Sequence, residues 1–96
     1  MSVKIMIRRK FKEQALKDAS AMLMKARINA MGHQGYISTE TLVNDDDPRA
    51  VIILSMWQSR EDWDRYKESH ERRAHEDKYA DLFEGSTEYE VLRVGL

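Results

Sequence analysis

The segment "AVIILSMW", residues 50–57, is apolar at nearly every position. A strand that packs on one side only alternates apolar and polar residues, because successive side chains point to opposite faces. A strand without that alternation must be covered on both faces. A chain of 96 residues can build one core and not two. Residues 1–96 are therefore read as a single domain, and the cover for the second face must be found within it or from another molecule.

The remaining segments say how much cover the chain itself supplies. "SVKIMIRR", residues 2–9, reads as a first strand, rich in long and β-branched apolar side chains. "KEQALKDASAMLMKARINAM" sets Ala15, Leu16, Ala19, Met22, Leu23, Ala26 and Ala30 at steps of three and four, the apolar stripe of a helix. Gly32 is placed to close that helix, because glycine accepts the left-handed conformation common at helix ends. "YISTETLV", residues 36–43, alternates as a second strand, and "NDDDPR" is a turn. After the apolar third strand, Ser59 followed by Asp62 predicts the start of a helix. Its pattern runs through "HERRAHEDKYADLF", with a break near Ser69, and stops before Gly85. "TEYEVLRV", residues 87–94, alternates as the last strand.

The order is βαββαβ, which predicts an α+β, ferredoxin-like domain with a four-stranded antiparallel sheet and both helices on one face. Two helices leave the other face of the third strand bare. A second copy of the chain, packed sheet to sheet, is the simplest cover, so a homodimer is expected.

Composition narrows the function classes. Sixteen basic and 17 acidic residues, net −1, create no field for nucleic acid or an anionic membrane. The one basic cluster, Arg8, Arg9, Lys10 and Lys12, lies at a strand end. Without cysteine there is no disulfide, thiolate nucleophile or sulfur-ligated zinc. No signal-peptide pattern and no stretch of roughly 18 apolar residues is present, so a cytoplasmic protein is expected. His70 and His75 have no third ligand in a familiar metal pattern, and Ser38, Ser55 and Ser69 sit in no nucleophile elbow. No glycine loop that could cradle a phosphate is visible.

Both tryptophans, one of the four tyrosines and two of the three histidines fall in "MWQSREDWDRYKESHERRAH", residues 56–75. Trp57 closes the apolar strand, where an indole either fills the core or walls a pocket. Trp63, Tyr66, His70 and Ala74 follow helical spacing and are read as one inward face. His75 shares a stripe with Tyr79 and Leu82. Histidine exchanges protons near neutral pH and can ligate iron. His33 is read as a solvated loop residue, and Glu40 as an interior carboxylate, as a solvated residue or as a partner of Arg93.

Together with the order of elements, the strings "GYISTETL", "VIILSMWQSREDWDRY", "SHERRAHEDKYADLF" and "YEVLRV" resemble the antibiotic biosynthesis monooxygenase family of dimeric α+β barrels. The resemblance implies that the domain pairs into such a barrel. It also implies one of several activities, since some relatives oxidise phenolic polyketides to quinones with O2 and no cofactor, some cleave haem, and some process small signalling molecules. The first reading expects a small aromatic or phenolic substrate, with His70 or His75 as the base and Trp57, Trp63 and Tyr66 as substrate-binding walls. The second is a non-catalytic binding or interaction module with a filled core. Haem binding stands third. In that branch an Asn on the first strand accompanies a Trp and a His; Trp57 matches and His75 falls close, but Met6 or Ile7 occupies the Asn position and cannot supply its hydrogen bond.

Overall fold

The computed structural model describes residues 1–95. Four strands, β1 (Val3–Lys10), β2 (Tyr36–Val43), β3 (Ala50–Trp57) and β4 (Glu88–Arg93), form one antiparallel sheet in the order β2-β3-β1-β4. Helix α1 (Leu16–Met31) follows β1, and helices α2 (Arg60–Lys67) and α3 (His70–Lys78) lie between β3 and β4. This is the expected ferredoxin-like arrangement, with the second helical region divided in two at the break expected near Ser69.

Alternation along β1 decides the core. Val3, Ile5 and Ile7 are buried, whereas Lys4 and Arg8 are exposed. The register sets Ile5 against Ser55 on one side and Val91 on the other, so three strands share one inward face. On that face β3 contributes Val51, Ile53, Ser55 and Trp57, all buried. From α1 come Ala19, Met22 and Ala30, with Leu23 packed against them, whereas Leu16 at the helix start is exposed. Phe11, entirely buried, meets Phe83 with ring centroids 5.2 Å apart and ties the end of β1 to the segment before β4.

The opposite face of the sheet is bare. Met6, Ile52, Leu54 and Met56 are only half-buried there, and Leu42 and Leu92 are exposed. The doubly apolar character of β3 is thus half used: the helices cover Val51, Ile53 and Trp57, and among the described residues nothing packs over Ile52, Leu54 and Met56.

Ser69 explains the divided helix. Its hydroxyl donates to the Tyr66 carbonyl at 2.6 Å, closing α2, and accepts from the Arg72 amide at 3.2 Å, capping α3. Ser59 caps α2 in the same way, accepting from the Asp62 amide at 3.1 Å. Two expectations are corrected nearby. Gly32 ends α1 in a right-handed conformation (φ −83°), and the left-handed residue is Gly35 (φ 87°), which lets the chain turn into β2. For Glu40, exposed on β2 at the sheet edge opposite to β4, the solvated reading holds and the pairing with Arg93 does not.

Candidate functional site

Between the helices and the inward face of the sheet lies a cavity of about 40 Å³. Its apolar walls are Ile7 and Ile53 from the sheet, Leu23, Ala26 and Ala30 from α1, and Trp63 from α2. Polar groups reach it from Ser55, Thr39, Thr41 and Tyr66, and three arginines complete it: Arg9, Arg27 and Arg72. Across its outer side Arg27 donates from Nη2 to the Thr39 carbonyl at 3.0 Å, linking α1 to β2.

The cavity is smaller than the roughly 150 Å³ that accommodates a benzene ring in a protein core. A ring-sized ligand must therefore displace side chains. A surface groove bounded by Leu23, Met24, Arg27 and Thr41 shares three residues with the cavity lining and so adjoins it on the side of α1 and β2.

Trp57, Trp63 and Tyr66 are brought together as one aromatic cluster. Tyr66 stacks on Trp57 with centroids 5.1 Å apart and planes 24° apart, and Trp63 lies 6.0 Å from Trp57. They differ in access to the cavity. Trp63 and Tyr66 line it, while Trp57 stands behind them, with its Nε1 donating to Ser55 Oγ at 2.7 Å. Burial raises the pKa of the Tyr66 hydroxyl, partly offset by the charge of Arg72, so it stays a neutral phenol at physiological pH. His33 is half-buried, its ring 4.8 Å from that of Tyr66, rather than free in a loop.

Both histidines lie off the cavity. The expectation that His70 continues the inward face of Trp63 and Tyr66 is corrected: His70 and Ala74 are exposed. The cap at Ser69 restarts the helix, so spacing counted across the break loses its phase, and Arg72 and His75 take the inward positions of α3. His75 is buried beside Tyr79, centroids 4.9 Å apart, and its Nε2 is closed off without a hydrogen-bond partner among the described residues. Burial lowers its pKa; Glu76 opposes this, and Arg72, Arg9 and Lys78 reinforce it, so the imidazole is neutral at pH 7.

The residues not singled out from the sequence are the buried arginines. Arg9 donates from Nε to Thr87 Oγ1 at 3.1 Å and from Nη1 and Nη2 to the carboxylate of Glu76. Arg72 donates from Nη2 to the Tyr89 hydroxyl at 3.0 Å and lies 3.6 Å from Glu76 Oε1. Burial works against the charge on Arg72, but Glu76 and then the hydroxyls of Tyr89 and Tyr66 outweigh it. Arg9 was legible in principle: it has the same parity as Val3, Ile5 and Ile7, and so had to point inward. Arg72 is missed when the spacing is counted through the break expected at Ser69 instead of being restarted there.

Among the described residues no group of three potential ligands is placed to hold a metal ion, and no helix is long and apolar enough to cross a membrane. The family model for antibiotic biosynthesis monooxygenases matches residues 2–78. No curated protein sequence matches significantly. The fold is similar to that of SnoaB, a cofactor-independent oxygenase from Streptomyces nogalater, with a TM-score of 0.88 at 12% identity over 99% of this chain and 94% of that one. A conserved protein from Methanosarcina mazei Go1 is similar at a TM-score of 0.88 and 12% identity, covering 97% of this chain and 92% of its own. A Mycobacterium tuberculosis protein reaches 0.85 at 16% identity, covering 97% and 94%.

Proposed function

Because this chain belongs to the antibiotic biosynthesis monooxygenase family, we propose that it is a cofactor-independent monooxygenase acting with O2 on a small aromatic or phenolic molecule. The observation that supports this reading is the cavity itself, where apolar walls and the Trp63 indole surround a neutral, buried Tyr66 hydroxyl. Such walls keep water from an electron-rich phenolate, and a fixed hydroxyl donor stabilises the charge on its oxygen. The reaction needs no further reductant. A phenol and O2 give a quinone and water, the substrate supplying all the electrons, one oxygen atom remaining on the ring and the other leaving in water.

In this proposal Trp63 and Tyr66 touch the substrate and Trp57 holds Tyr66 from behind. The histidines expected as bases are not placed for that role, since His70 is exposed and Nε2 of His75 reaches neither solvent nor cavity; the group at the cavity is the Tyr66 hydroxyl, which acts as a donor to the phenolate and not as a base. Tyr66→Phe is expected to lower kcat for a phenolic substrate by about 10- to 1,000-fold, as removal of one oxyanion donor does, with little change in Tm. Replacing both His70 and His75 should leave kcat within about threefold in enzyme that remains folded. Product formation followed by O2 uptake measures both. The reverse pattern, activity lost with the histidines and kept in Tyr66→Phe, would return the chemistry to the imidazoles.

The dimer is part of the proposal. A second copy is the cover that best suits the bare face, whose apolar centre of Met6, Ile52, Leu54 and Met56 is flanked by both signs of charge: Lys4 and Arg8, with Glu40, Glu88 and Glu90. Mixed charge around an apolar centre suits a self-complementary contact. In sedimentation the protein is expected at twice the chain mass, and Leu54→Asp, which places a carboxylate opposite Met6, is expected to sediment as a monomer. A wild-type monomer at micromolar concentration would overturn this part.

A further inference from the structure

We propose that the molecule taken by this cavity carries an anionic oxygen group, and that Arg72 is its anchor. This rests on the reading of the cavity as the binding site and goes beyond it by naming the charge of the ligand.

Three of the cavity-lining residues are arginines and none is an acid, although the chain as a whole has slightly more acidic than basic residues. Arginine is almost never fully buried without a partner. Here the side chains of Arg9 and Arg72 are only 3% and 6% exposed, and they share one carboxylate, Glu76. The sharing is unequal. Arg9 engages both carboxylate oxygens through two nitrogens, while Arg72 reaches only Oε1, at 3.6 Å. Two buried cations against one anion leave a surplus positive charge beside the cavity, which an incoming anion would neutralise.

The donor count points to Arg72 rather than Arg9. A guanidinium has five N–H groups. Arg9 uses all three of its nitrogens, on Thr87, Glu76 and Tyr89. Arg72 makes one hydrogen bond of ordinary geometry, from Nη2 to Tyr89, and a looser one to the Tyr66 hydroxyl, which leaves part of its five N–H groups unused; its guanidinium carbon lies 5.8 Å from the Tyr66 ring centroid and 6.0 Å from that of Trp63. A network serving only to tie α3 to the sheet would need the Arg9–Glu76 pair, but not a second guanidinium with donors to spare. The apolar walls then take the body of the ligand while Arg72 takes its charge.

Benzoate and benzamide test this, since they share size and shape and differ in charge. Isothermal titration of the wild-type protein at pH 7 is expected to give benzoate an affinity at least about tenfold higher than benzamide, the preference weakening as salt is raised. In Arg72→Gln the preference should shrink to within about threefold, and Arg72→Lys, which keeps the charge and is the variant to rely on if Arg72→Gln does not fold, should retain part of it. Equal binding of the two probes to the wild type would overturn the anion preference while leaving the cavity as the binding site. Binding of neither would overturn the cavity reading, and the inference with it. A preference that survives unchanged in folded Arg72→Gln would remove Arg72 as the anchor.

Discussion

A Gly35→Ala variant is expected to unfold roughly 10–25 °C below the wild-type protein, corresponding to about 2–4 kcal/mol for a domain of this size. Two costs combine. The backbone of Gly35 has φ 87°, where an L side chain is strained by about 1–3 kcal/mol. An added Cβ would also fall within the van der Waals envelope of the Asp62 side chain. Asp62 is buried and cannot simply swing away, because its carboxylate accepts from Ser59 Oγ at 3.0 Å and Arg65 Nη1 at 2.9 Å at the start of α2. The clash should therefore also loosen the helix that carries Trp63 and Tyr66. Thermal denaturation monitored by circular dichroism reads the shift. Combining Gly35→Ala with Asp62→Ala should cost less than the sum of the two, because the second change removes the obstacle met by the first. A fall below about 5 °C for Gly35→Ala alone would mean that the loop re-forms without the left-handed residue.

Trp57→Ala is expected to cost about 3–5 kcal/mol, a fall in Tm of at least about 15 °C, and at the upper end much of the stability of a small domain. The indole is wholly buried, stacks on Tyr66 and meets Tyr36 edge-on at 5.6 Å, so its removal leaves a hole bounded by rings that cannot collapse into it. Its loss also leaves the Ser55 hydroxyl without its donor. Trp57→Phe keeps a ring against Tyr66 and should recover more than half of the loss. Denaturant titration of both variants separates two roles for this residue. A large loss of stability is the mark of a core residue that supports Tyr66. Near-normal stability with altered ligand binding would instead make Trp57 a wall of the cavity.

How far the site could be read from the sequence depends on whether a residue's direction is set locally. On β1 and β3 the two-residue period aims Ile5, Ile7, Ser55 and Trp57 inward without knowledge of anything distant, and the same period aims Arg9 inward. Trp63 and Tyr66, three apart on α2, were placed correctly for the same reason. The break near Ser69 is both expected and observed; the error lies in carrying the phase of Trp63 and Tyr66 across it to His70. A serine inside an amphipathic pattern is compatible with a continuous helix or with a cap, and the choice depends on whether its hydroxyl finds the Arg72 amide. Because the cap forms, His70 turns out to solvent and Arg72 turns in, which moves the polar chemistry of the cavity from an imidazole to a guanidinium.

The sequence by itself determined the order of elements, the strand parities, the aromatic cluster and the apolar second face of β3, because each depends on periodicity within a single segment. Only the tertiary structure decided what meets across segments. It joined Arg9 of β1 to Glu76 of α3, set Arg72 beside Tyr89 of β4, brought Arg27 of α1 to Thr39 of β2, and left three arginines around one small cavity. Charges separated by tens of residues have no local signature, since their pairing is settled by the packing of helices on the sheet and not by the spacing of residues along the chain.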